Sequence, residues 1–236
     1  MADERITMAH GAGGKMSQQL MQEVILPEFA NPYLNELHDG ASVTMSGRVA
    51  FTTDSYVVQP LFFNGGNIGK LAVCGTANDV AVSGAIPRYL SCGFILEEGL
   101  EMATLEAVVA SMADTARAAG IAIVTGDTKV VPRGAADKLF INTAGIGAIP
   151  ADVRWGTQQI SAGDVLLVSG TLGDHGATIL NLREQMGLDG ALSSDCAVLT
   201  PLIAFFMIRY QFYSVASNGI PVTPHQLPEL YAIYTE

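Results

Sequence analysis

The chain has 236 residues, 49% of them apolar, which allows one large domain or two small ones with a sizeable core. Its formal net charge of −11 argues against nucleic acid and anionic membranes as partners. No apolar run approaches the ~18 residues of a membrane span, and the polar N-terminus lacks the apolar segment of a signal peptide. The three cysteines, Cys74, Cys92 and Cys196, form no CxxC pair. We therefore expect neither disulfides nor zinc, and predict a cytoplasmic location.

Apolar spacing and turn residues predict alternating helices and strands through the first 150 residues. A helix that follows the glycine-rich residues 10–14 should end or kink at Pro27. The later predicted elements are a strand over 48–55, a helix over 69–87, a strand over 88–96, a helix over 101–119 ended by Gly120, a short strand over 121–124 and a strand over 139–149. This alternation predicts an α/β fold.

A second domain is predicted to begin after a linker over residues 150–163. A strand over 165–168, a glycine-rich turn and a helix over 177–186 follow that linker. The residues from Ile203 onward have a different composition, with 7 of the 17 aromatic residues and only three charged groups. We therefore predict an N-terminal ATP-binding and dimerisation domain over 1–155, the start of a C-terminal domain over 156–202, and a divergent tail over 203–236.

The predicted helix over 69–87 is apolar on nearly all sides, which is typical of a helix inside a core. Asn78 and Asp79 nevertheless lie in its middle. A carboxylate is rarely fully buried unless it is paired or binds a metal. Small residues around this polar pair would let a ligand or another backbone approach closely.

Four aspartates occur at predicted strand ends or beside glycines: Asp54, Asp79, Asp127 and Asp174. Mg²⁺ usually combines one or two carboxylates with phosphate oxygens and water. A turn or N-cap role is the commoner explanation for Asp54, Asp127 or Asp174 taken singly. Asp79 has no capping explanation, because it lies in mid-helix. The four together predict a metal–phosphate site.

Three glycine-rich turns, HGAGG, FFNGGNIGK and GTLGDHGA, each precede a predicted helix, where backbone N–H groups can bind phosphate. None matches the Walker or GxGxxG pattern, and ordinary loop glycine is the alternative. Lys129 follows Asp127 closely and could meet a phosphate as a point charge. Lys70 is a second candidate, with a solvated helix end as an equal alternative. His10 and His175 adjoin glycines, and a turn role is the alternative to proton transfer.

Six segments occur in an order that resembles the HypE family of hydrogenase maturation proteins: HGAGG, TTDSYVVQPLFF, GGNIGKLAVCGTANDVAVSGAIP, FILEEG, VTGDTKVV and SGTLGDHGATIL. The resemblance covers residues 10–202. This family belongs to the superfamily of aminoimidazole ribonucleotide synthetase. The resemblance implies a two-domain α/β fold that dimerises through the sheet of its first domain, with an incomplete second domain here. It also implies an ATP-dependent carbamoyl dehydratase, which converts a carbamoylated C-terminal cysteine to a thiocyanate, the source of the cyanide ligands of [NiFe]-hydrogenase.

The same resemblance implies ATP and Mg²⁺ as cofactors. The implied partners are a second copy in a homodimer, the carbamoyltransferase HypF and the HypC–HypD iron-loading complex. By motif, Asp54, Asp79 and Asp127 would bind the metal, and Asp79 and Lys129 would be catalytic. The residues implied to bind the nucleotide are His10, Gly11, Gly13, Gly14, Asp54, Lys70, Asn78, Gly126, Asp127, Thr128, Gly173 and Asp174.

The end of the chain departs from the family pattern. Family members end in a Pro-Arg-Ile-Cys type of tail, whereas this sequence ends Ala-Ile-Tyr-Thr-Glu and has no cysteine after Cys196. We therefore expect the tail from residue 203 to be aberrant and the carbamoyl acceptor to be missing. A non-catalytic fragment that dimerises or binds partners is one alternative function. Another ATP-dependent reaction of the superfamily is a second alternative, against which the HypE-specific segments argue.

Overall fold

A computed structural model describes residues 5–36, 40–155, 162, 165–166, 169–188, 190–209 and 222–223. Its helices are α1 (Lys15–Leu20), α2 (Leu26–Phe29), α3 (Ile68–Val82), α4 (Met102–Ala119), α5 (Asp174–Glu184) and α6 (Thr200–Arg209). Its strands are β1 (Val49–Tyr56), β2 (Phe62–Phe63), β3 (Gly66–Asn67), β4 (Ile86–Glu97), β5 (Ala122–Val131), β6 (Leu139–Ala148), β7 (Val165–Leu166) and β8 (Val222–Thr223). Two short 3₁₀ helices, Met8–Gly11 and Leu34–Glu36, and a π turn over Met21–Ile25 complete the described elements.

The main sheet has four strands in the order β1-β6-β4-β5. β6 pairs antiparallel with both of its neighbours, whereas β4 and β5 are parallel and are connected through α4. Helices α3 and α4 pack together, and the largest buried cluster includes Ile68, Val73, Leu105 and Met112 from these two helices. The mixed sheet with its helical layer confirms the predicted α/β fold.

The central helix is buried as predicted, although it is shorter. α3 begins at the Asn67 cap, whose Oδ1 accepts the N–H groups of Gly69 and Lys70 at 2.9 and 3.0 Å. It ends at Val82, because the chain turns at Gly84 with a φ of +81°. Within it, Asn78 is buried but Asp79 is only half-buried. The carboxylate is therefore less desolvated than the apolar pattern suggested.

The two faces of the sheet differ. Residues such as Leu90, Thr143 and Tyr56 face the helices and are buried. On the opposite face Phe51 lies across from Ile146, and Phe51 is 70% exposed. Val49, Ile86 and Ile95 are also exposed. We call this opposite surface of β1, β6, β4 and β5 the open face; it carries several exposed apolar side chains, and Tyr33 packs against it at Tyr89.

Several predicted boundaries differ from the observed ones. Of the two outcomes predicted for the first helix at Pro27, an end or a kink, the end is wrong. The helix continues, because a π turn over Met21–Ile25 widens it just before Pro27, which falls in the first turn of α2. β5 does not stop at residue 124 but pairs with β4 as far as Val131. α5 begins at Asp174, three residues earlier than predicted.

The predicted domain limits remain predictions. α6 spans the proposed boundary at residue 203, and half of the linker and most of the tail lie outside the described residues. Among the helices that the structure describes, none is long and apolar enough to cross a membrane.

Candidate functional site

The N-terminal glycine-rich loop and strand β5 together form a cavity of about 220 Å³, which we call the glycine-loop cavity. The predicted site residues that line it are His10, Gly11, Gly13, Gly126, Asp127, Thr128 and Lys129. Gly14 follows directly as the N-cap of α1. The structure thus brings together two sequence segments, HGAGG and TGDTK, that lie more than a hundred residues apart.

Close packing explains why glycine is needed in this loop. A Cβ atom on Gly11 would lie 2.6 Å from the backbone nitrogen of Val130, so a side chain there would push the loop off β5. Gly13 has a φ of +77°, which other residues rarely adopt. Ser17 fixes the turn: its Oγ accepts the Gly13 N–H at 2.9 Å and donates to the His10 carbonyl at 2.8 Å. Sequence reasoning missed Ser17, because a serine in a first helical turn is common.

His10 helps to hold the loop in shape. Its ring is buried, and Nδ1 accepts the backbone N–H of Thr7 at 2.9 Å. The imidazole therefore caps the 3₁₀ helix that carries the loop. His10 thus has the structural role in a turn that was predicted as the alternative to proton transfer.

Asp127 and Lys129 form an ion pair in the wall of the cavity. Lys129 Nζ lies 3.0 Å from Asp127 Oδ2, and the Asp127 Oδ1 atom accepts the Thr128 N–H at 2.9 Å. Both side chains are about two-thirds exposed. Asp127 was predicted to follow its strand. It lies inside β5 instead, opposite Gly93. Strand alternation directs Asp127 and Lys129 to the open face.

A second cavity of about 260 Å³ adjoins the first and shares Met21, Ile25, Gly126, Asp127 and Thr128 with it. Its remaining lining is mainly apolar: Phe29, Leu34, Cys92, Phe94 and Ile123, with Thr125. Burial raises the pKa of Cys92 above its ordinary value, so this thiol stays protonated and acts as an apolar wall.

Asp54 and Asp79 lie around the hydroxyl of Tyr56. Burial raises the pKa of Tyr56, and both carboxylates are close enough to raise it further. The Tyr56 hydroxyl is 3.0 Å from Thr76 Oγ1, and a Cβ on Gly75 would lie 2.3 Å from it. Gly75 therefore admits the tyrosine against α3. Asp54 also lies inside its strand rather than after it.

Asp127 is distant from this pair within one chain. Asp54 pairs with Thr143, Thr143 with Cys92, and Cys92 with Gly126, so the two aspartates lie at opposite edges of the sheet. Three strand spacings amount to roughly 14 Å. Among the residues with described positions, no group of three or more His, Cys, Asp or Glu could hold a metal ion. A single chain therefore does not assemble the predicted set of Asp54, Asp79 and Asp127.

The other predicted residues lie along residues 192–199, a segment we call the strap. Asn78 binds the strap at the Ala197 carbonyl and the Leu199 N–H, at 3.0 and 2.8 Å. Lys70 Nζ donates to the Gly65 carbonyl at 2.7 Å.

Gly173 and Asp174 also lie near the strap, at the start of α5. The next residue, His175, contacts Ser194 and Asp195 of the strap. The Asp174 carboxylate accepts a hydrogen bond from Thr171 Oγ1. Gly173 and Asp174, together with Lys70 and Asn78, do not line the glycine-loop cavity.

The comparisons with known proteins agree with this fold. Residues 37–149 match the family model for the N-terminal domain of AIR synthase related proteins. The carbamoyl dehydratase HypE of Escherichia coli K12 is 73% identical over 204 residues, which are 84% of this chain and 61% of that protein. The chain thus spans about three fifths of the length of the curated relatives it matches.

Two solved structures extend the comparison. A hydrogenase maturation protein HypE in complex with ATP is 51% identical and superposes with a TM-score of 0.83, over 86% of this chain and 60% of that one. A HypE chain from a HypE–HypF complex is 45% identical, with a TM-score of 0.67 over 80% of this chain and 61% of that one. With this agreement in sequence and in fold, the chain belongs to the carbamoyl dehydratase HypE family, within the AIR synthase related proteins.

Proposed function

We propose that this chain binds Mg²⁺-ATP for the carbamoyl dehydratase reaction of hydrogenase maturation. The observation that carries the proposal is the glycine-loop cavity, in which HGAGG meets the Asp127–Lys129 pair of β5. A relative about half identical to this chain has been solved with ATP.

The cavity has the chemistry that a nucleotide needs. Lys129 would meet the phosphates as a point charge, and Gly13, which has no side chain, would let the phosphate chain approach the backbone. The adjoining cavity has the apolar lining that a purine ring requires. The two cavities share β5 residues, so phosphate and base would lie on either side of Gly126.

Asp54 and Asp79 are the residues that would hold Mg²⁺. Two carboxylates near one hydroxyl suit a cation that takes its remaining ligands from phosphates and water. Because the glycine-loop cavity of the same chain lies across the sheet, roughly 14 Å away, the metal would neutralise the phosphate charge of a nucleotide shared with a second copy of the chain. Asp127 would contribute to nucleotide binding by pairing with Lys129, or by contacting a nucleotide bound to a second copy of the chain.

The open face supports the proposed homodimer. Exposed apolar residues on a sheet surface, such as Phe51 and Ile95, mark a protein–protein interface. Because Asp127 and Lys129 also lie on this face, the nucleotide would bind near the interface. Each copy would then complete the surroundings of the other copy's cavity.

The rest of the pathway is proposed from the family alone. HypF, which is present with a relative in a solved complex, would load the carbamoyl group on a cysteine thiol. Activation of the carboxamide oxygen by ATP and loss of phosphate would leave a thiocyanate, to be delivered to the HypC–HypD complex. A cytoplasmic location is part of this proposal.

Titration calorimetry with ATP, with and without Mg²⁺, tests the proposal. We expect binding that Mg²⁺ strengthens and that Gly11→Val removes, since a larger side chain would meet Val130. Gly40→Val is the matched control, because a Cβ there meets no atom within 4 Å and its backbone is not in the left-handed conformation. Binding that is absent or independent of metal would favour the alternative, a dimerising or partner-binding fragment without catalysis.

A further inference from the structure

The strap is held to the N-terminal part of the chain by backbone and side-chain hydrogen bonds. Besides the two bonds to Asn78, the Ser194 N–H donates to the Asn64 carbonyl at 2.9 Å. The strap has no room to shift toward the loop at Gly65, where an added Cβ would lie 2.7 Å from the Ser194 carbonyl. The strap therefore follows α3 in a fixed register.

This register places two thiols side by side. Cys74 lies one helical turn before Asn78 on α3, and Cys196 lies next to Ala197, which Asn78 binds. The two side chains are close enough for Cys74 to act as a hydrogen-bond donor toward Cys196, an interaction that shifts the pKa of both thiols. No sequence pattern indicates this contact, because 121 residues separate the two cysteines and neither belongs to a CxxC pair.

The two thiols differ in reactivity. The hydrogen bond from Cys74 lowers the pKa of Cys196, and the nearby Lys70 ammonium lowers it further against the effect of burial. The same hydrogen bond and burial raise the pKa of Cys74. Cys196 is half-buried, whereas Cys74 is buried. The pair thus combines an accessible, activated thiol with a protected one, as in thiol–disulfide exchange sites.

We propose that Cys74 and Cys196 form a thiol–disulfide exchange site, which takes a low-molecular-weight disulfide as oxidant and closes into a disulfide between α3 and the strap. In the first step the Cys196 thiolate attacks one sulfur of the oxidant, whose S–S bond breaks and whose other half leaves as a thiolate. In the second step Cys74 loses its proton and displaces the remaining half from Cys196. The chain loses two hydrogens, and the oxidant is reduced to two thiols.

The disulfide would fix more than the strap itself. Ser194 and Asp195 contact His175, which lies next to Asp174 in the first turn of α5. A covalent link at Cys196 would therefore also hold the start of α5 against the N-terminal part of the chain. The proposal does not depend on ATP binding, so either can fail without the other.

The experiment uses the full chain, reduced, freed of reductant and incubated in its folded state with glutathione disulfide. After an acid quench, free thiols are counted in denaturant and the tryptic peptides are mapped by mass spectrometry. We expect the count to fall from three thiols to one, with the Cys74 and Cys196 peptides joined and Cys92 free. Oxidation should also slow amide hydrogen exchange at Leu199.

Three variants serve as controls. Cys92→Ser should form the same disulfide, because Cys92 is buried elsewhere. Cys74→Ser should stop at one glutathione on Cys196, and Cys196→Ala should leave Cys74 reduced. Circular dichroism establishes that each variant is folded, and Cys196→Ala covers the case in which Cys74→Ser does not fold. The proposal is overturned if wild-type Cys74 stays free, if the link joins two chains, or if it includes Cys92.

Discussion

The Lys129 ammonium lies 3.0 Å from the Asp127 carboxylate, in the wall of the glycine-loop cavity. Both groups are well exposed, and such pairs contribute at most about 1 kcal/mol to folding. The pair therefore matters more for what it presents to a ligand than for stability. The chain has only twelve Lys and Arg residues, and Lys129 is one that lies beside the glycine loop.

Replacing Lys129 by Met should weaken ATP binding roughly tenfold, or about 1.4 kcal/mol, because a phosphate would lose its point charge while the unpaired Asp127 repels it. Titration calorimetry measures the change. Lys138→Met is the matched control, since Lys138 lines a different cavity of about 400 Å³. Equal losses in both variants would mean that only net charge is involved.

Asp79→Asn should lower ATP hydrolysis by at least roughly 100-fold, the loss typical of one charge contact made in the transition state. The fold should survive, because Asp79 is half-buried and the substitution is nearly isosteric. Phosphate release and the melting temperature measure the two effects. Asp114→Asn, on the exposed side of α4, should change neither by much. Unchanged hydrolysis in Asp79→Asn would make Asp79 a structural residue.

Local pattern was enough to predict some elements closely. α4 matched its prediction within a residue, because its apolar residues repeat on one face and Gly120 adopts the left-handed conformation that ends a helix. The extension of β5 was missed because Gly126-Asp127 has the composition of a turn. Gly126 nevertheless pairs with β4 as part of the strand, and a Cβ on it would lie 2.1 Å from the Cys92 carbonyl oxygen.

The site was only partly predictable for a related reason. HGAGG and TGDTK each carry a recognisable pattern, and the structure brings them together. Whether Asp54 and Asp127 meet depends on strand order, which no local pattern encodes. The order β1-β6-β4-β5 places them at opposite edges of the sheet.

Gly75→Ala should destabilise the fold by about 1–3 kcal/mol, although alanine favours helices, because the added Cβ would lie 2.3 Å from the Tyr56 hydroxyl. Chemical denaturation measures the free energy of unfolding. Gly176→Ala in α5 is the control, since its Cβ meets nothing within 4 Å, and it should be neutral or stabilising by up to about 1 kcal/mol. Adding Tyr56→Phe to Gly75→Ala should recover part of the loss. If the effects of the two substitutions on the free energy of unfolding simply add, the clash between the new Cβ and the Tyr56 hydroxyl is not the cause of the destabilisation.

The strap contact at His175 should weaken in acid. Burial lowers the pKa of His175 below 6.5, and the opposing effect of Asp195 is smaller. The unfolded chain therefore binds the proton more readily, so this part of the stability is complete above about pH 7 and is lost as the pH falls through about 6.5 toward the folded pKa. Melting temperatures between about pH 7.5 and 5.5 should fall less in His175→Gln than in the wild type. The melting temperature of Asp195→Asn should fall more than that of the wild type over the same pH range. Parallel curves for all three proteins would show that His175 does not contribute to the pH dependence.

Phe51→Asp should convert the proposed homodimer to a monomer. Phe51 is 70% exposed on strand β1 of the open face, opposite Ile146, and a second copy would bury it. An unpaired carboxylate in such an interface costs several kcal/mol, which raises the dimer Kd by more than roughly 100-fold. Sedimentation equilibrium measures this change. Leu180→Asp, an equally apolar and 53% exposed position on α5, should leave the dimer intact. If Leu180→Asp rather than Phe51→Asp dissociates it, the interface lies on α5 and the cavity at Lys129 is remote from it.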